Sequence, residues 1–187
     1  KTKFNTGLEG RSVLALGGTG PVGQVAAVLA AQAGANVRII GRQLEKAQRI
    51  ADMCSEEFGE GKITITAGAD ADKADYLTNA DVVFATGAAG IELLSAELIS
   101  AAPQLKVAAD VNAVPPSGVA GLDAFDNGKE IAGSKSGALG IGALAIGNVK
   151  YQVQSALLKR MIAEDTPLYL HFEHAFEAAR AYIIATK

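Results

Sequence analysis

The chain has one cysteine, Cys54, no tryptophan, and only ten Phe and Tyr residues between them (6 Phe and 4 Tyr). A single thiol excludes an intrachain disulfide and a cysteine-based zinc cluster. Cys54 follows Met53 in a helical pattern and reads as a small core residue. No apolar run approaches the roughly 18 residues of a membrane-spanning helix, and residues 1–10 contain no signal-peptide core. Charge of one sign is also missing: 17 Lys and Arg face 20 Asp and Glu, for a formal net charge of −3. The nearest thing to a basic stripe, Lys159-Arg160, is too little to track a phosphate backbone. Nucleic acid and membrane are therefore not expected as partners, and a cytoplasmic location is.

What the chain does have is glycine and small aliphatic residues. There are 21 glycines, and 49% of the residues are hydrophobic, mostly Ala, Val, Ile and Leu. Buried parallel strands packed on small-residue helix faces have this composition. A length of 187 residues suits one α/β domain with an added helical tail. A chain of this length buries roughly 70% of its unfolded surface, so no covalent staple is needed.

Along the chain, short apolar runs alternate with helical patterns at βαβ spacing. Strands are expected at Ser12–Leu16, 36–40, 62–66, 81–85, 106–109 and 130–132. Helices are expected at 21–33, Leu44–Phe58, 72–77, 91–101 (ended by Pro103), 139–164 and from Pro167 onward. Residues 112–121 form a Pro/Gly loop, and Asp126-Asn127-Gly128 is a turn signal. The fold class is therefore α/β: a Rossmann-like doubly wound parallel sheet with C-terminal helices. Ligands of such sheets bind beyond the carboxyl ends of the strands, where strand order reverses.

The loop after the first strand contains Gly18-Thr19-Gly20-Pro21-Val22-Gly23. This is G-x-G-x-x-G between a strand and a helix, the context that makes the pattern meaningful. The first glycine permits a tight turn, the second leaves room for a diphosphate, and the third lets helix and strand pack closely. Unpaired N–H groups at the helix start favour the anion, and Pro21 at the first helical position gives up no needed N–H. A plain glycine turn is the bland alternative.

The second strand ends Ile39-Ile40-Gly41-Arg42-Gln43, with no acid where a ribose-binding carboxylate would stand. Gly41 leaves space, and Arg42 brings a planar cation suited to phosphate. Lys46, four residues on and one helical turn away, is a candidate second charge, with a solvated helix-face lysine weighing nearly as much. This reads as a site for the 2′-phosphate of NADP, with NAD kept open as a second cofactor. The alternatives are a solvated Arg42, or one stacking on adenine. Thr86, Gly87 and Ala88 follow the fourth strand, where the nicotinamide ribose is expected. Asn112, just past the fifth strand, has an amide able to pair with a carboxamide; a purely structural role weighs equally. For Asp110 a structural role, capping the loop backbone, is favoured. His171 and His174 lie i, i+3 apart near the C-terminus and read as helix-surface or partly packed residues, with no third metal ligand in view.

Several segments together carry a family resemblance. They are Val13 to Gly23; Gly41-Arg42 with Leu44-Glu45-Lys46-Ala47; Phe84 to Leu94; Ala109-Asp110-Val111-Asn112-Ala113-Val114-Pro115-Pro116; Gly118 to Asp123; and Gly137 to Gly142. Over residues 8–179 the chain resembles the NADP-binding domain of the methylene-tetrahydromethanopterin / methylene-tetrahydrofolate dehydrogenases of methylotrophic bacteria. The resemblance implies an oxidoreductase that takes a hydride from a methylene group bridging two nitrogens of a reduced pterin or folate. Those nitrogens delocalise the resulting cation, so no general base is demanded. It also implies an N-terminal substrate-binding domain, which residues 1–187 are not expected to include. With no initiator Met, the chain is expected to be a piece of a longer protein. Two other readings stand beside it: the cofactor domain of a shikimate-dehydrogenase-like enzyme, and a non-catalytic NADP-binding module. A homo-oligomer is left open.

Overall fold

The computed structural model describes residues 7–186. Most of the stretch 1–10, read above as lacking a leader, lies outside the described residues. The chain divides into two compact units, Lys1–Ala143 and Leu144–Lys187.

The first unit holds a seven-stranded sheet: β1 (Ser12–Leu16), β2 (Asn36–Gly41), β3 (Ile65–Ala69), β4 (Val82–Ala85), β5 (Val107–Asp110), β6 (Asn127–Glu130) and β7 (Leu139–Ile141). Their order across the sheet is β3-β2-β1-β4-β5-β7-β6. All neighbours pair in parallel except β6 with β7, which is antiparallel. The doubly wound expectation holds, with an antiparallel edge added. The helices of this unit are α1 (Pro21–Gln32), α2 (Leu44–Phe58), α3 (Lys73–Leu77) and α4 (Ala96–Ser100). Four of the five β1 residues are buried, as a strand flanked on both sides must be. Leu14, Leu16, Ile40, Val83, Leu94, Ile99 and Leu105 share one core cluster. Cys54 is fully buried on α2, and burial, followed by the charge of Glu57, pushes its thiol pKa up.

Three expected elements moved. The strand expected at 62–66 begins three residues later, because Lys62 N–H bonds the Gly59 carbonyl and a turn occupies its place. The helix expected at 91–101 shrinks to α4. Residues 91–95 are extended instead: Leu93 and Leu94 donate to the Gly118 carbonyl, Ala120 donates back to Leu94, and Leu94 bridges Val119. The Ser95 hydroxyl then caps α4 by accepting from Leu98 N–H. The helix expected at 139–164 is preceded by a strand, since residues 139–141 pair with β5 as β7, with β6 on their other side.

The second unit carries α5 (Ala143–Ala163), which begins at the boundary, and α6 (Phe172–Ala185). The last helix starts at Phe172 rather than at Pro167. Its N-terminus is closed by a capping box in which the His171 backbone N–H donates to His174 Nδ1 at 3.3 Å. Among the described residues, no helix is long and apolar enough to cross a membrane.

Candidate functional site

Strand order reverses between β1 and β4, so the loops after these two strands open on one crevice. The loops meet main chain to main chain. Gly17 has φ +69°, and a Cβ there would lie 2.6 Å from Gly87 Cα. Thr86 ties the loops together, since its backbone N–H and its hydroxyl each donate to the Leu16 carbonyl at 2.9 Å.

The glycines of the first loop do different work. At Gly18 a Cβ would sit 2.7 Å from the Ala15 carbonyl oxygen, and at Gly23 it would sit 2.5 Å from Gly18 Cα. Both are demanded by packing inside the protein. Gly20 is not: the nearest atom to a Cβ there is Gly17 O at 3.7 Å. A side chain at Gly20 would fill only the space where a diphosphate is expected. The left-handed turn falls on Gly17, one residue before the glycine to which the motif assigns it. The Gly17-Gly18 pair was the available signal.

Gly20 is the N-cap of α1, without a side-chain cap, and Pro21 stands at the helix start. The Val22 and Gly23 N–H groups lie in the first turn and have no intrahelical acceptor. Gln24 N–H closes the first helical bond, to the Gly20 carbonyl, at 2.9 Å. The Val22 side chain is 57% exposed.

The end of β2 presses against this loop. A Cβ on Gly41 would lie 2.9 Å from Thr19 Cγ2 and 3.2 Å from Ala47 Cβ. Arg42 therefore leaves the sheet beside the phosphate loop. Arg42 and Lys46 are both exposed, and neither forms an ion pair among the described residues. Two cations without carboxylate partners among the described residues thus follow a strand end that packs on the loop leading into α1, whose first N–H groups lack intrahelical acceptors.

Beyond β4 and β5 the expected residues are more occupied. The Thr86 hydroxyl spends its proton on Leu16 and keeps only acceptor capacity. Gly87 is packed, since a Cβ would lie 2.7 Å from Leu93 Cδ1, and Ala88 is exposed beyond it. Asn112 turns its amide into its own loop: Nδ2 donates to the Pro116 carbonyl at 3.1 Å, and Oδ1 accepts from Val114 N–H at 2.9 Å. One amide hydrogen and one lone pair remain for a ligand. Asp110 is 1% exposed and accepts from the backbone N–H groups of Asn112, Gly118 and Val119. It holds the loop, in line with the structural role favoured for it. An open cleft of about 270 Å³ lies at this end of β5, bordered by Asn112, Val114, Pro115, Ser117, Leu122 and Asp123. His171 and His174 belong to the second unit, where they cap α6.

No protein-family model matches the chain. It is 38% identical over 180 residues to the NAD(P)-dependent methylenetetrahydromethanopterin dehydrogenase of Methylorubrum extorquens, covering 96% of this chain and 60% of that protein. It is 36% identical over 181 residues to the bifunctional protein MdtA of the same organism, covering 95% of this chain and 58% of that protein. The resemblance read from the quoted segments is thus borne out over nearly the whole chain. The chain spans about three fifths of the length of these curated relatives. Among solved structures, an L-alanine dehydrogenase aligns with a TM-score of 0.52 at 20% identity, over 84% of this chain and 47% of that one. Shikimate dehydrogenase of Mycobacterium tuberculosis aligns with a TM-score of 0.51 at 20% identity, over 91% of this chain and 57% of that one. These two share the fold.

Proposed function

We propose that this chain is the NADP(H)-holding part of an oxidoreductase that takes a hydride from methylene-tetrahydromethanopterin or methylene-tetrahydrofolate. One observation carries the cofactor: the acceptor-free start of α1 adjoins the unpaired Arg42, at a strand end without a ribose-binding acid. The substrate class is supported by the 38% identical relative, whose name specifies methylenetetrahydromethanopterin.

When bound, the nicotinamide supplies a hydride acceptor. The chain's own residues bind and orient. The Val22 and Gly23 N–H groups and the α1 dipole receive the diphosphate, and the bare face of Gly20 lets it approach. Arg42 takes the 2′-phosphate as a fork, with Lys46 as a second charge. The Thr86 hydroxyl accepts from a ribose hydroxyl, Gly87 and Ala88 form the adjoining wall, and Asn112 offers its remaining amide hydrogen to the carboxamide. The methylene carbon sits between two nitrogens that stabilise the developing cation, so the rate comes from holding donor and acceptor in line. The pterin-binding part is assigned to the portion of the relatives that the match leaves out, and the cytoplasm is the expected location.

Titration calorimetry with NADPH and NADH on this chain tests the cofactor, and absence of NADPH binding overturns it. The reaction is tested on the natural full-length protein with methylene-pterin and NADP. Formation of the methenyl product, followed by absorbance, is expected, and its absence overturns the substrate assignment.

A further inference from the structure

A set of hydrogen bonds ties down most of the peptides of the phosphate loop. Gly18 N–H takes the Ala15 carbonyl at 3.1 Å, Gly20 N–H takes that of Gly17 at 3.2 Å, and Gln24 N–H takes that of Gly20 at 2.9 Å. The Thr19 carbonyl is taken by a side chain: Gln24 Nε2 donates to it at 2.9 Å. The Thr19–Gly20 peptide is therefore clamped at both ends, its N–H on Gly17 and its C=O on Gln24. The clamp has a reason to exist. The peptide is flanked by glycine, which moves freely through φ/ψ space, and a rotation of that plane would aim a carbonyl oxygen at an incoming diphosphate. An oxygen dipole facing an anion opposes binding, whereas a Thr19 carbonyl held by Gln24 leaves the neighbouring helix-start donors unopposed by it.

We propose that Gln24 is a positioning residue of the dinucleotide site: its side-chain amide fixes the Thr19–Gly20 peptide so that this peptide does not turn its carbonyl oxygen toward the diphosphate. This rests on the cofactor reading above. The role requires a donor. Glutamate has the same shape but, ionised, only accepts, and it would place a negative charge one turn into α1. Lysine keeps a donor on a stem of similar length.

The test compares NADPH with adenosine 2′-monophosphate, which carries the 2′-phosphate but no diphosphate. Each is titrated against the wild type and against Gln24→Leu, Gln24→Glu and Gln24→Lys, with Tm recorded for all. Loss of one neutral hydrogen bond corresponds to roughly three- to tenfold in affinity. Gln24→Leu is expected to weaken NADPH by about that factor while leaving adenosine 2′-monophosphate and Tm within error, which a generally damaged domain would not do. Gln24→Glu is expected to weaken NADPH further, and Gln24→Lys to bind it as the wild type does. The proposal is overturned if Gln24→Leu and Gln24→Glu bind NADPH like the wild type, or if both ligands weaken equally. A wild type that binds neither ligand overturns the cofactor reading instead.

Discussion

Arg42 is an exposed cation with no ion-pair partner among the described residues, so its removal should cost the fold little and, on the proposed reading, the ligand much. A charge-assisted hydrogen bond contributes about 1.5–3 kcal/mol. Arg42→Ala is therefore expected to weaken NADPH by roughly one to two decades and to leave NADH nearly unchanged, as read by calorimetry. Asp110 is the opposite case. It is buried and holds three backbone N–H groups, so Asp110→Ala strands donors in a dry place at about 1–3 kcal/mol for each buried group left unmet. Urea unfolding should show a lower midpoint. Cys54 makes a pH prediction. Its thiol pKa is raised in the fold, so the folded state holds the proton longer than the unfolded state does. The associated stability is complete below the unfolded thiol's range, near pH 8.5, and is lost as pH rises through the folded value. Cys54→Ala should flatten the alkaline fall in Tm. At this scale the sequence made the Gly20 and Arg42 readings possible, because each depends on a residue type in a fixed local frame. It did not reveal that Asn112 spends most of its amide on Val114 and Pro116, a matter of loop conformation.

The elements show why some segments were legible and others were not. The helix α2 and the strand β1 were read to the residue, since one has a clear apolar stripe and the other a bounded apolar run. Residues 91–95 carry helical spacing, yet they pair with the 118–120 loop, and no local pattern reports a partner more than twenty residues away. Residues 139–141 are three apolar or small residues ahead of a long helical run. Only the open edge of β5 makes them a strand. The junction of α1 with the sheet gives a further prediction. A Cβ at Gly23 would meet Gly18 Cα at 2.5 Å and Thr86 Oγ1 at 2.7 Å, so α1 would have to lift from β1. Overpacking of this kind costs about 1–3 kcal/mol. Gly23→Ala should lower Tm and weaken NADPH together, whereas Arg42→Ala should affect binding alone.

The whole molecule carries a net charge of −3, so nothing global draws in an anionic dinucleotide. On the proposed reading, attraction is confined to the cations at the end of β2 and the start of α2, Arg42 and Lys46, and to the dipole of α1. Exposed charges are screened over about 10 Å at 0.1 M salt. NADPH affinity should therefore fall with added salt more steeply than NADH affinity, and the difference should shrink in Arg42→Ala and further when Lys46 is also replaced by alanine. Saturating NADPH should also raise Tm, since a ligand at one hundred times its Kd stabilises by about 2.7 kcal/mol. The sheet itself comes from two successive windings, β1 to β3 and β4 to β7, and they share one seam at which Gly17 lies on Gly87. That seam sets a rule for recombination. In a chimera joining the first winding of one such protein to the second winding of another, the donor of the first winding must bring glycine to the seam, or the halves stand apart by the width of a methyl group.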